Sequence, residues 1–117
     1  MICTTLNIRG LGATGKRRAL CDFLDGSDTQ VLLLQETMVN ASSAIEFFLM
    51  IRPHWRVYVI YSLGLSGGIL MAWDPIFGDF QAYSTIVGLL VEGCMKVFDG
   101  KLCFLNVYAP YRDRLSF

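Results

Sequence analysis

The fold is decided by residues 31–37, VLLLQET, in which four consecutive apolar residues are followed directly by three polar ones. A continuous apolar run of this length is typical of a strand that is buried on both faces. In open α/β sheets, ligands bind at the carboxyl ends of such strands. Glu36 therefore stands where a binding residue is expected. The alternative is that Glu36 only begins a loop and caps the next helix.

The preceding residues predict a partner for this strand. Residues 4–8 form a predicted strand, which Ile2 and Cys3 extend backwards, and a glycine-containing loop then leads to a helix from about Lys16 to Leu24. The order strand, helix, strand predicts a parallel βαβ unit with a right-handed crossover. If its two strands are neighbours, Asn7 and Glu36 project into one crevice. A carboxylate there can hold Mg²⁺, and an amide can orient a phosphate or the carboxylate.

The following residues predict a second helix and then only strands. The helix spans about Ser42 to Met50, with Ser42 or Ser43 as N-cap, and Pro53 prevents its continuation. Asp99-Gly100 predicts a type I′ hairpin. The whole order predicts one mixed α/β layer, with helices on one face of the sheet and an apolar sheet face on the other. The predicted strands lie near Arg56–Tyr61, Gly68–Trp73, Asp79–Val87, Leu90–Phe98 and Leu102–Tyr108.

Composition limits the class of protein. The 117 residues are enough for one domain, 1–117, and 54% of them are hydrophobic while 17% are charged; an average domain has about 25% charged residues. This argues against disorder and indicates more apolar surface than one small domain can hide. An interface, a missing half or a membrane would each explain the excess.

Charge gives little support for nucleic-acid binding by itself. The formal net charge is zero, so no global basic field attracts nucleic acid. The local cluster of Arg9 with Lys16, Arg17 and Arg18 is interpreted as a solvated helix start, with phosphate contact as the alternative.

Residues 57–73 form an uncharged stretch, and its length is at the lower limit for a membrane-spanning helix. Glycines at 64, 67 and 68 interrupt them, and valine and tyrosine favour strands, so we predict two strands around a glycine turn and no membrane.

The four cysteines (Cys3, Cys21, Cys94 and Cys103) form no C-x-x-C pair, which argues against zinc. We interpret them as reduced and the protein as intracellular.

Four short motifs occur in a fixed order along nearly the whole chain. They are Asn7-Ile-Arg-Gly-Leu-Gly12, Leu33-Leu-Gln-Glu-Thr37, Ser66-Gly-Gly-Ile69 and Asn106-Val-Tyr-Ala-Pro110. Each motif is weak by itself, but the ordered set resembles the N-terminal half of the endonuclease/exonuclease/phosphatase superfamily, whose members are similar to DNase I and apurinic/apyrimidinic endonucleases. The first motif, followed by Lys16-Arg17-Arg18, resembles plant LINE-type retrotransposon reading frames.

The resemblance implies a fold and an activity. The expected fold is a partial four-layer α/β sandwich (DNase I-like), with a mixed sheet that carries helices on one face and with its second half missing. The expected activity is Mg²⁺-dependent (or Mn²⁺-dependent) hydrolysis of nucleic acid, DNA by family resemblance, which would allow a nuclear location.

The resemblance also implies residue roles. Glu36 would be the Mg²⁺ ligand, Asn7 would support the metal and the phosphate, and Tyr108 would place its hydroxyl near the scissile phosphate. Without the motif, Tyr108 would be interpreted as a core aromatic residue. Residues 66–68 would have a structural role, and Trp73 would be a core aromatic residue.

Several positions depart from the family pattern. Arg9 stands where DNA-repair relatives carry an aspartate, and Tyr111 stands near a phosphate-contacting asparagine of many relatives. His54 matches no family histidine and is predicted to lie on the surface. The family's general base and its histidine partner belong to the C-terminal half, so we expect an incomplete catalytic site. The alternative is a non-catalytic retroelement-derived fragment that acts as a weak binding or self-association module through an exposed sheet face.

Overall fold

The computed structural model describes residues 2–60, 68–85, 88–96 and 100–107. Within these ranges the chain forms two helices and seven strands. Their order agrees with the predicted order of strand, helix, strand, helix and a run of strands. The elements are β1 Cys3–Asn7, α1 Thr14–Gly26, β2 Val31–Gln35, α2 Ala41–Ile51, β3 Arg56–Ile60, β4 Ile69–Trp73, β5 Gly78–Ser84, β6 Gly88–Met95 and β7 Leu102–Val107.

The first sheet has four strands in the order β1-β2-β4-β3. β1 and β2 are parallel, with Asn7 paired to Gln35, and α1 connects them, so the predicted parallel βαβ unit is confirmed. β4 runs antiparallel to both β2 and β3. β2 and β4 are therefore the central strands, and almost every residue in them is buried.

The remaining strands form a second sheet. β5, β6 and β7 are antiparallel neighbours in that order and pair with each other, not with the first sheet. The prediction of a single mixed layer is therefore wrong. The chain leaves the first sheet at Asp74, whose backbone carbonyl accepts from Phe77 N at 3.1 Å and whose side chain accepts from Ile76 N at 3.0 Å. This turn directs β5 into another layer.

Each face of the first sheet is covered by a different apolar cluster. Leu32 and Leu34 of β2 pack with residues of α1 and α2, including Leu20 and Phe48. Val31 and Leu33 point to the other face and pack with the second sheet, through residues such as Phe80, Leu89 and Val91. The described residues therefore form three layers, helix on sheet on sheet. The apolar sheet face that was expected to be bare is covered by the chain's own second sheet.

The uncharged stretch from Val57 to Trp73 contains two antiparallel strands. Arg56 pairs with Trp73 at one end of β3 and β4, and Ile60 pairs with Ile69 at the other. The two-strand interpretation is confirmed, while the predicted glycine turn between them, residues 61–67, lies outside the described residues. No helix in the described ranges is long and apolar enough to cross a membrane.

Two boundaries in the second sheet differ from the predictions. β5 ends at Ser84 and β6 begins at Gly88, because Thr85 and Gly88 bond to each other through the Thr85 N–H, the Thr85 hydroxyl and the Gly88 N–H. The predicted ends Val87 and Phe98 lie outside the described residues, as does Asp99 of the predicted hairpin. Gly100, its second turn residue, has φ 135°.

The cap of α2 lies before the predicted serines. Asn40 is the N-cap residue, and its Oδ1 accepts a hydrogen bond from Ser43 N at 2.8 Å. The prediction of Ser42 or Ser43 as N-cap is therefore wrong. Asparagine and serine are about equally good caps, so composition alone did not distinguish them.

Asn40→Ala should lower the free energy of unfolding by about 1 kcal/mol, because it leaves the Ser43 N–H without its acceptor. Ser42→Ala is the matched control and should change it by less than about 0.5 kcal/mol, as is usual for exposed positions. Urea denaturation of both variants measures the difference. Equal losses would mean that Asn40 does not cap the helix.

Candidate functional site

The carboxyl ends of β1 and β2 lie side by side, and their pairing continues into the loops that follow. Ile8 N donates to Gln35 O at 3.0 Å, Gly10 N to Glu36 O at 2.8 Å and Leu11 N to Thr37 O at 2.7 Å. The two loops are therefore held together by their backbones, which fixes the positions from which the neighbouring side chains project.

Asn7 and Glu36 meet at this edge of the sheet. Asn7 Nδ2 donates a hydrogen bond to Glu36 Oε2. Asn7 is exposed and Glu36 is half-buried, so both groups are accessible from solvent. The predicted juxtaposition of the amide and the carboxylate is confirmed, and the geometry lets Asn7 orient the carboxylate.

Three residues around this contact have left-handed backbones although none is glycine. The φ angles are 52° at Arg9, 54° at Glu36 and 56° at Met38. Such conformations cost about 1–3 kcal/mol each and persist where the surrounding structure enforces them, often at functional sites. Here the hydrogen bonds between the two loops enforce them. This observation marks the same strand ends as a candidate functional site, independently of the sequence motifs.

The start of β4 closes the site from the other side of β2. Thr37 N donates to Gly68 O at 3.2 Å, and Gly68 has φ 74°. A Cβ atom at Gly68 would lie 2.3 Å from Thr37 Oγ1, so no larger residue fits without a shift. This agrees with the structural role expected of Gly68, while Ser66 and Gly67 of the same motif lie outside the described residues.

A second pair of amides lies beneath the site; both residues belong to the quoted motifs, but neither was given a role from the sequence. Gln35 Nε2 donates to Thr5 Oγ1 at 2.9 Å and to Asn106 Oδ1 at 2.8 Å. Asn106 is only 2% exposed, and its Nδ2 donates to the carbonyls of Leu34 and Leu70 at 3.2 and 3.3 Å. The available signal was the amide of Asn106 in the otherwise apolar strand β7, because a buried amide needs partners.

Two of the four side chains in the basic cluster make contacts within the protein. Lys16 Nζ donates to Ile8 O at 2.9 Å and Arg17 Nε to Leu11 O at 2.8 Å, and the Arg17 guanidinium lies 5.5 Å from the centre of the Phe47 ring. Arg9 and Arg18 are exposed. The interpretation of a solvated helix start is therefore right for Arg18 and incomplete for Lys16 and Arg17, which hold the loop between β1 and α1.

A mostly apolar groove of about 220 Å³ opens between β1 and α1 and reaches the site. Its lining includes Asn7, and Lys16 contributes its one positive charge. The other lining residues are Leu6, Ile8, Ala19 and Leu20.

The other residues considered from the sequence are not part of this contact. Tyr108 and Tyr111 lie outside the described residues. His54 is at the opposite end of the first sheet, its side chain is 55% exposed, and its Nε2 lies 3.8 Å from Asp74 Oδ2. It is a surface residue, as predicted. Trp73 is buried and packs edge-to-face on Phe80, with 5.7 Å between the ring centres, so the core prediction is also right.

The donor atoms at the site suit a hard cation with few protein ligands. Glu36 offers a carboxylate and Asn7 an amide oxygen, and Mg²⁺ commonly takes one or two carboxylates while keeping waters and substrate phosphates. The described residues contain no cluster of three or more histidine, cysteine or acidic side chains. The four cysteines are free, and burial raises the pKa of the Cys3 thiol, which disfavours the thiolate that soft metals bind.

Comparisons with models of known protein families and with curated protein sequences find no match for this chain. The class that the structure defines is a mixed α/β protein with two sheets and two helices in its described part. Inference about its function therefore depends on the geometry of the strand ends.

Gly68→Ala should lower the free energy of unfolding by about 1–3 kcal/mol, because alanine is strained at φ 74° and its Cβ would overlap Thr37 Oγ1. Gly15→Ala is the control, since the added Cβ in α1 meets no atom within 4 Å; it should be neutral or stabilise by up to about 1 kcal/mol. Thermal unfolding of both variants measures the contrast. A tolerated Gly68→Ala would show that β4 does not approach Thr37 in this way.

Proposed function

We propose that this chain carries the metal-binding side of a Mg²⁺-dependent (or Mn²⁺-dependent) phosphodiesterase site acting on nucleic acid. The observation that carries the proposal is the contact between Asn7 and Glu36 at adjacent strand ends. The left-handed backbones around it support the proposal further. The motif resemblance suggests the finer fold, a partial four-layer sandwich of the endonuclease/exonuclease/phosphatase type. It also suggests DNA as the substrate, in an intracellular setting that would include the nucleus.

The chain's own residues would contribute binding and orientation. Glu36 would hold the cation through its carboxylate, and Asn7 would fix the rotamer of that carboxylate through its hydrogen bond. A bound divalent cation supplies a positive charge that stabilises the negative charge developing on a phosphoryl group. Lys16 lines the same groove as Asn7, and its positive charge would favour a phosphate bound there. Tyr108 remains a candidate phosphate contact through the motif alone.

The proposal includes an incomplete catalytic centre. In the described residues, the one histidine lies at the far end of the first sheet, so no imidazole there can activate a water beside Glu36. Loss of general-base assistance typically lowers a rate by about 10²–10⁴-fold. We therefore expect cation binding to be readily measurable and hydrolysis by this chain to be slow.

Glu36→Gln should weaken Mn²⁺ binding at least about tenfold, because it replaces the anionic oxygen by a neutral amide of the same size. Mn²⁺ titration followed by electron paramagnetic resonance measures the affinity, and plasmid nicking with Mg²⁺ measures any hydrolysis.

Glu46→Gln is the matched control, because Glu46 is an exposed carboxylate on α2. Equal affinity in the wild type and Glu36→Gln would refute the metal site. Nicking that survives Glu36→Gln would show that the activity comes from another site or a contaminant.

A second candidate function is self-association of a non-catalytic fragment. The specific observation is the outer face of the second sheet, where Tyr83, Leu105 and Val107 are 43%, 48% and 41% exposed. Tyr83, Leu90 and Leu105 are register partners across the three strands and form one apolar row. The occupant that we propose for this row is a second copy of the chain, since a formal net charge of zero gives no net repulsion between copies.

The polar end of the same face limits the contact area. Lys101 Nζ lies 3.2 Å from Glu92 Oε2, and the hydrogen bond to Glu92, with the charge of that carboxylate, raises the pKa of Lys101. The charged ammonium of Lys101 is therefore favoured, and solvent accommodates it better than an apolar partner. Association would be confined to the apolar row and would be weak.

Leu105→Glu should abolish concentration-dependent self-association by placing a charge within the apolar row, next to Leu90. Met50→Glu is the control, because Met50 is 83% exposed on α2 and lies away from this face. Sedimentation velocity across a concentration series measures the effect. A wild-type chain that sediments as a monomer at every concentration would contradict the self-association function.

A further inference from the structure

The two sheets are joined beneath the site by one buried amide. Asn106 belongs to β7 of the second sheet, yet every hydrogen bond of its side chain goes to the first sheet: Oδ1 accepts from Gln35 Nε2, and Nδ2 donates to Leu34 O and Leu70 O. Leu34 and Leu70 are register partners in β2 and β4. Asn106 therefore spans the seam between the two central strands.

Gln35 extends this connection to β1 and to the site. Its Nε2 donates to Asn106 Oδ1 at 2.8 Å and to Thr5 Oγ1 in β1 at 2.9 Å. Gln35 pairs with Asn7 in the strand register and directly precedes Glu36 in the chain. The side-chain amide of Gln35 thus links β2 to both β7 and β1, directly before the strained residue Glu36.

The energetic effect follows from burial. Asn106 is buried, and a buried amide group that loses its hydrogen-bond partner costs about 1–3 kcal/mol. This cost favours the one arrangement of the Gln35 side chain in which Nε2 donates to Asn106 Oδ1. The left-handed backbone of Glu36 needs rigid surroundings, because a strained conformation persists only where neighbouring contacts enforce it.

We propose that Asn106 is a positioning residue that acts through Gln35 to hold Glu36 beside Asn7, an inference that rests on the proposed function. The second sheet then has a role in the site although Asn106 itself does not touch Glu36 or Asn7. Its loss should loosen the ends of β1 and β2 selectively, while the opposite ends of the same strands keep their structure.

The test is amide hydrogen exchange in the full chain, measured by NMR. The reporters are the backbone N–H groups of Gly10, Leu11 and Thr37, which bond across the site. The Ala72 N–H, in the central strand β4 between β2 and β3 and fully buried, serves as the reference for global unfolding. In Asn106→Leu the reporters should exchange at least about tenfold faster relative to this reference.

Two further variants separate positioning from general stability. Thr29→Val is the matched control, because Thr29 is also buried and its hydroxyl bonds to Thr4 and Ser27 at the amino ends of β1 and β2. It should leave the ratio of reporter to reference exchange unchanged. Gln35→Met serves if Asn106→Leu does not fold, since it removes the link while Asn106 keeps its bonds to the Leu34 and Leu70 carbonyls.

The same samples receive Mn²⁺ as a probe, because its paramagnetism broadens signals near a bound ion. In Gln35→Met and Asn106→Leu the Mn²⁺ affinity should fall at least about tenfold, and in Thr29→Val it should not. Unchanged reporter ratios in both variants, or an equal change in Thr29→Val, would overturn the positioning role. In one further outcome the wild-type chain binds no Mn²⁺, while Asn106→Leu still speeds exchange of the reporters. That outcome would refute the proposed function and leave Asn106 as the group that positions the strand ends.

Discussion

Burial of β2 on both faces is the constraint on which the rest of the structure depends. Its four apolar residues alternate between two clusters, with Leu32 and Leu34 under the helices and Val31 and Leu33 under the second sheet. A strand of this kind is stable only if both faces are covered and both edges are paired. β1 and β4 pair with its edges, the helices cover one face, and β5 to β7 cover the other.

The candidate site follows from the same constraint. Because β2 is central, its carboxyl end is surrounded by backbone from β1 and from the start of β4, through Gly10 and Gly68. Glu36 leaves this crowded strand end with a left-handed backbone, and its carboxylate is directed to the amide of Asn7. The free energy that holds the strained residue is supplied by apolar burial beneath it and by hydrogen bonds on both sides.

Sequence reasoning succeeded where local pattern and connectivity agree. The parallel unit of β1, α1 and β2 was predicted because a strand, a helix and a strand in this order have few alternatives, and this also placed Asn7 next to Glu36. It failed where several residues of similar propensity compete, as at the cap of α2, where Asn40 precedes two serines. It also failed for the number of sheets, because strand propensity does not say which strands pair.

The sequence by itself determined the elements, the buried character of β2 and the polar residues at its end, since these depend on neighbours within a few positions of the chain. The tertiary structure alone decided that the later strands form a separate sheet, that Asn106 reaches across to Gln35, and that Arg9, Glu36 and Met38 adopt left-handed backbones. Those features arise from contacts between residues up to 72 positions apart. Their energies depend on three-dimensional packing and on the need to pair every buried amide, and no local pattern of residues encodes that.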